Sequence, residues 1–230
     1  MGLHPLSKKV NGVVRGPGVL ARFSEFDGLY QRHPNDNGHG KNLAGAHALL
    51  GATWAAAGNR AKAIDSQHRS IETVRRMLRI APHDNRLRTT LGFASVRLAS
   101  VLFAEGQKTE AINVGREGLE VFRSLAQRPE ATPDDQNNYA GLILEIGIPE
   151  LTDARTALEF AQKATAGLKD PPLPMLDTLA QAYCETGDLP AAIRTAEQAL
   201  LSHPLREGSS RGLRTELDAK LTEFKAGHCK

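Results

Sequence analysis

The eight histidines and two cysteines are the residues of this chain that could hold a metal or attack a substrate, so their spacing is decisive. His33 and His39 flank an Asn/Gly-rich stretch, His47 and His68 fall on different predicted helices, and His228 adjoins Cys229. No HExxH, CxxC or close His/carboxylate set occurs, and without such converging ligands a metal is not expected. Cys184 and Cys229 are too few for a disulfide framework and form no CxxC redox pair. Cys184 has no assignable basic partner, so it reads as a small buried residue rather than a nucleophile. Gly16-Pro17-Gly18 lacks the Lys-Ser/Thr that completes a phosphate loop, and no cofactor is expected. Glu145, Asp177 and Glu185 read as solvated helix faces rather than paired acids. Arg69, Arg75, Arg76 and Arg79 form a basic side to one predicted helix. The chain balances 29 Lys+Arg against 26 Asp+Glu, a net +3 that is too weak to argue for nucleic acid. An enzyme is therefore not expected.

What must position these residues is a set of helices. Hydrophobic residues make up 40% of the 230 and charged ones 24%, which suits a globular chain. Aromatics are only 5%, and Ala and Leu carry much of the apolar content, favouring closely packed helices over a β-sandwich. No apolar run reaches the ~18 residues of a membrane span. Lys8 and Lys9 are followed by Gly12, Arg15, Gly16 and Pro17 rather than by an apolar signal core. A cytoplasmic location, with no membrane partner, is the expectation.

One pattern recurs four times: a small residue, an apolar residue three places on, a turn, then Ala. It reads Gly51, Trp54, Gly58, Ala63; then Ala99, Leu102, Gly106, Ala111; then Ala140, Ile143, Ala157; then Ala180, Tyr183, Gly187, Ala192. From small residue to Ala the step is 12 in copies one, two and four, and 17 in copy three (140 to 157). Ile146-Gly147-Ile148-Pro149-Glu150 absorbs the difference in a longer loop. Two antiparallel helices that cross closely need small side chains where their backbones meet, and glycine ends the first helix of three pairs. From each second-helix Ala to the next small residue the steps are 36, 29 and 23 (63 to 99, 111 to 140, 157 to 180). Against about 22 for a regular repeat of about 34 residues, the excesses are close to about four, two and zero helical turns. Helices lengthened by whole turns keep the same face buried.

These residues resemble the tetratricopeptide repeat (TPR) over roughly residues 42–206, with the small-residue, Tyr, Gly, Ala and Pro204 positions of copy four matching nearly in full. The resemblance implies a right-handed α-solenoid of about four helix pairs with a C-terminal capping helix. Asn137-Asn138-Tyr139-Ala140, the run from Ala157 to Ala161, Leu176 to Ala180 and Gly187-Asp188 are also similar to the repeat tail of bacterial serine/threonine kinases. The Gly-rich loop, VAIK, HRD and DFG signatures of a kinase are all missing, so the likeness implies a docking or regulatory part of such a signalling system.

Helices are predicted near 42–57, 60–80, 85–105, 107–127, 134–146, 152–168, 174–186 and 189–202. Asp84 or Asn85 caps the third and Thr132-Pro133 opens the fifth. The repeats divide at about 41–81, 85–128, 134–169 and 173–206. Residues 207–230 form the cap and tail, where Leu213, Leu217, Leu221 and Phe224 stripe one helix at 211–226. Residues 1–40 are an extension. In it, Val10 to Gly18 is Gly-rich, Leu20 to Gln31 reads as a short helix or as disorder, and Asn35 to Gly40 reads as a flexible turn. Phe23, Phe26 and Tyr30 are available there to cover the first repeat.

In a stack of helix pairs the first helices line a concave groove. Helical phase places Phe93, Val96, Arg97, Ser100 and Phe103 there from copy two, and Asn137, Gly141, Leu144 and Glu145 from copy three. Copy four contributes Asp177, Gln181, Cys184 and Glu185, and copy one the featureless Ala48, Ala52 and Ala55. Aromatics can anchor an apolar side chain and amides can bond an extended backbone. The expected partner is a peptide or helix of another protein, with self-association through an open repeat end as an alternative. Chaperone-binding members of the family clamp a C-terminal carboxylate with Lys and Asn. Here Ala48, Ala52, Val96 and Ser100 stand at those positions, and that clamp is not expected.

Overall fold

A computed structural model describes residues 18–33, 36–202 and 210–229. The glycine-rich stretch before Gly18 and the turn after Pro204 fall outside them. Within them the chain is all-α, with ten helices and no strand. These are α1 (Gly18–Arg32), α2 (Asn37–Ala56), α3 (Arg60–Ile80), α4 (Asn85–Ala104) and α5 (Lys108–Ala126), followed by α6 (Pro133–Glu145), a 3-10 turn at Pro149–Leu151, and α7 (Ala154–Thr165). Last come α8 (Leu173–Glu185), α9 (Leu189–Ser202) and α10 (Ser210–Lys225).

The arithmetic of whole turns is visible in the helix lengths. Helices α2 to α5 have 20, 21, 20 and 19 residues. Helices α6 to α9 have 13, 12, 13 and 14. The difference of about seven residues is about two turns. Two lengthened helices separate Ala63 from Ala99, one separates Ala111 from Ala140, and none separates Ala157 from Ala180, which matches the order of the excess spacings.

Local chemistry sets the boundaries. Gly58, Gly106 and Gly187 have φ of +77°, +80° and +87°, the left-handed region that only glycine enters without cost. At each, the next residue's N–H returns to the carbonyl five back: Asn59 to Trp54, Gln107 to Leu102, Asp188 to Tyr183. At the start of several helices an Asx side chain accepts the N–H three residues on. Asn59 takes Lys62 (3.2 Å), Asp84 takes Leu87 (3.1 Å), Asp153 takes Thr156 (3.1 Å) and Asp188 takes Ala191 (3.0 Å). Thr132 and Asp135 cap one another reciprocally at the start of α6.

Two expectations are corrected here. The stretch before Gly40 is not a flexible turn from Asp36 onward: Asp36 caps α2 through the His39 N–H (2.9 Å). Gly40 lies inside that helix, where a Cβ would stand 2.4 Å from Met77 Sδ. Nor does Ile146 to Glu150 simply spend extra length, because Ile146 and Ile148 are fully buried. α1 forms, with Phe26 and Tyr30 half-buried, and it packs on α2.

The chain forms two compact units. The first takes residues up to Phe122 together with Ile146–Leu151, and the second takes Arg123–Glu145 with the chain from Thr152. In the first, α2 packs on α3, α3 on α4, and α2 also reaches α4. α4 is long and apolar enough to cross a membrane by length and composition, but half of it is buried within the chain. Its backbone meets α5 at two glycines: a Cβ on Gly118 would stand 2.9 Å from the Gly92 carbonyl, and one on Gly92 2.5 Å from the Phe122 ring. In the second unit, α6, α7 and α8 pack in the same consecutive manner. Ala140, Ala157, Ala180 and Ala192 are fully buried, as are Ala63, Ala99 and Ala111 in the first unit. Leu217, Leu221 and Phe224 of α10 join Leu173, Leu176, Ala192, Ala196 and Ala199 in one core.

Candidate functional site

The predicted groove residues divide between the two units. On α4, Phe93 stacks edge-on against Phe122 with ring centroids 4.7 Å apart. The Arg97 guanidinium lies 5.6 Å above the Phe93 ring, and Lys108 Nζ is 5.9 Å from the Phe103 ring. Phe93, Arg97 and Phe103 are all half-buried on this helix. Val96 is corrected: it is 3% exposed, because the glycine at 118 lets α5 come up against it. Ser100 is also engaged, donating to the carbonyl of Ile146 (2.9 Å) from the buried loop.

In the second unit Asn137 is half-buried, its Oδ1 enclosed without a hydrogen-bond partner, and Glu145 is exposed at the end of α6. The α8 set is covered by the chain itself. Asp177 pairs with Lys220 of α10 (2.6 Å). Gln181 donates to the Cys229 carbonyl (2.7 Å) and to Glu185 Oε1 (2.9 Å). The reading of the cysteines is corrected too: Cys184 is buried, as expected, but it is disulfide-bonded to Cys229, 45 residues away. Sequence spacing gave no sign of this pairing. The residue that creates it is Gly227, whose φ of +83° turns the chain back towards α8 after α10.

Chemically active groups elsewhere are also engaged within the chain. A recess of about 620 Å³ in the second unit is lined by Tyr139, Phe160, Arg128, Lys163, Asp153 and Glu159, among others. Its charges are largely spent: Lys163 pairs with Glu159 (2.6 Å), Arg128 lies 3.9 Å from Asp135, and Asp153 accepts from Thr156. Of the arginines on α3, Arg69 pairs with Asp65, Arg75 grips both carboxylate oxygens of Glu117 (2.7 Å each), and Arg76 lies over Tyr30. His47 is buried on α2; burial first, then the Arg69 charge, holds its imidazole below its ordinary pKa. Among the described residues no group of three His, Cys, Asp or Glu side chains could hold a metal ion.

Compared with protein-family models and with curated proteins, the chain matches none. Its own geometry therefore carries the functional reading.

Proposed function

We propose that this chain is a non-catalytic interaction scaffold of the TPR type, a right-handed α-solenoid of about four helix pairs closed by α10. Its α4 face holds a peptide or helix of a partner protein. The observation supporting this is the set of partly exposed residues Phe93, Arg97 and Phe103 on α4, with Arg97 over the Phe93 ring. Aromatics flanking a cation suit a segment that places an apolar anchor beside a carboxylate. Consecutive packing of α2 to α4 and of α6 to α8, and alanines at every predicted crossing but Gly51, support the repeat architecture.

A displayed peptide library tests the reading. Enriched peptides are expected to carry Asp or Glu within a few residues of Leu, Phe or Trp. Arg97→Glu should weaken the best of them at least tenfold while the far-ultraviolet circular dichroism is unchanged. A library that yields no enrichment, or peptides indifferent to Arg97→Glu and Phe103→Ala alike, overturns it.

A further inference from the structure

We infer that Cys184 and Cys229 form a redox latch that decides whether the chain's own C-terminal tail covers the groove face of α8. The inference goes beyond peptide binding on α4 and does not depend on it.

α10 has contacts of its own with α8 and α9 besides the disulfide. Leu217, Leu221 and Phe224 are buried in the core formed with α8 and α9. Lys220 pairs with Asp177 (2.6 Å) and Lys225 with Glu197 (2.8 Å), while Arg214 donates to the Leu200 carbonyl. The described residues after the helix, 226–229, are held differently. Gly227 N–H returns to Phe224 (3.0 Å) and His228 N–H to Glu223 (2.9 Å), which folds the tail back over α8. Against α8 the tail makes one strong hydrogen bond, from Gln181 Nε2 to the Cys229 carbonyl (2.7 Å), and a long contact from Cys184 Sγ to the His228 carbonyl (3.7 Å). The His228 imidazole also lies 3.4 Å from Glu223, and the disulfide adds the covalent tie to α8. An amide on α8 donating to the carbonyl of a non-helical segment is the contact a bound peptide would make, so the tail acts as an internal occupant of that face.

Reduction by a dithiol opens the latch. Cys229 is half-buried and Cys184 only 2% exposed, so the attacking thiolate reaches Cys229 Sγ. A mixed disulfide forms at Cys229, and Cys184 leaves as a thiolate and takes up a proton. The second thiol of the reductant then displaces Cys229 and closes its own disulfide. Two electrons and two protons have passed to the protein. In a reducing cytoplasm the latch would stand open until oxidant appears; disulfides found in such compartments are transient or sensing ones.

The test uses the whole chain in solution, oxidised and then treated with dithiothreitol, with Cys184→Ser/Cys229→Ser as a permanently open form. Iodoacetamide should label neither cysteine before reduction and both after it. By nuclear magnetic resonance, reduction should abolish the positive heteronuclear Overhauser effect at 228–229 and shift the Gln181 side-chain amide, while amides 213–224 keep their positions. Labelling of both thiols before reduction would overturn the latch. So would a tail that stays rigid after it, or loss of α10 together with the tail, which would make the disulfide a staple. If the double variant does not fold, reduction of the native chain gives the same readings.

Discussion

The α2–α3 crossing closes Gly51 against the amide of Gln67, whereas the α8–α9 crossing gathers Ala180, Ala192, Ala196 and Ala199 into one apolar cluster. Both stand at the same spacing in the sequence. The first lies between helices of 20 and 21 residues, the second between helices of 13 and 14. Among the described residues, every buried polar side chain (His47, Thr53, Ser66, Gln67, Ser70 and Ser95) sits in the longer helices. There, Ser70 Oγ donates to the Ala44 carbonyl (2.8 Å) and Gln67 Nε2 to the Ala48 carbonyl (3.1 Å). Burying a polar group is tolerable only when it is bonded, and two extra turns of apolar contact help offset the rest. Among the described residues the α8–α9 crossing buries no such group, and it is reinforced by α10 and a covalent link. Length and chemical purity substitute for one another at these crossings.

The largest expected effect separates the two regions outright. Replacing both cysteines by serine removes a closed loop of 45 residues, worth about 4 kcal/mol in the chain-entropy account. Trp54, the single tryptophan, lies on α2 and reports the first unit alone. With Tyr30 of the first unit replaced by Phe, denaturant titration should therefore show a destabilised tyrosine signal from Tyr139 and Tyr183, with the Trp54 transition in place. Movement of the Trp54 midpoint by as much would break the comparison.

A smaller effect converts one crossing towards the other. A Cβ on Gly51 would stand 2.5 Å from Gln67 Nε2, so Gly51→Ala should cost about 1–3 kcal/mol through overpacking. In the Gly51→Ala/Gln67→Ala double variant the clash is gone, and the coupling energy should be favourable by more than about 0.5 kcal/mol. Strict additivity in thermal melts would show that Gln67 does not shape this crossing.

The smallest effects come with acid, in two windows. His47 has a lowered pKa, so between its ordinary value near about 6.5 and its folded value the unfolded chain binds more protons. Stability of the first unit is then lost as pH falls below about 6.5, and His47→Gln should flatten that step. Asp84, held low by Lys41 and then the Leu87 N–H, and Asp153, held low by the Thr156 N–H, contribute stability that is present above about 3.9. It is lost as pH falls through their folded values. Asp153→Asn should alter only this second step, in the second unit. A single acid transition shared by Trp54 and the tyrosines would count against this ordering.

Helices were legible in the sequence because their ends are written in side chains that act locally. Arg60–Ile80 and Leu189–Ser202 are found at the boundaries predicted for them, each following a Gly-Asn or Gly-Asp pair that stops one helix and caps the next. Residues whose role depends on a neighbour were less legible. Val96 has the phase of a groove residue, yet the approach of α5 buries it. Gln181 has the type and phase to meet a peptide, yet the first segment to reach it is the chain's own. The disulfide was hidden because nothing local joins residues 45 apart, and its signal was a glycine two positions before a cysteine at the end of a helix.

The contact between Gly92 and Gly118 has a consequence for inheritance. Any substitution at either position adds at least a methyl group where a ring or a carbonyl already stands. Descendants that keep α4 and α5 at this distance must keep both glycines. Kin of this chain should therefore be recognisable by that pair of glycines even where the rest of the α4 surface differs.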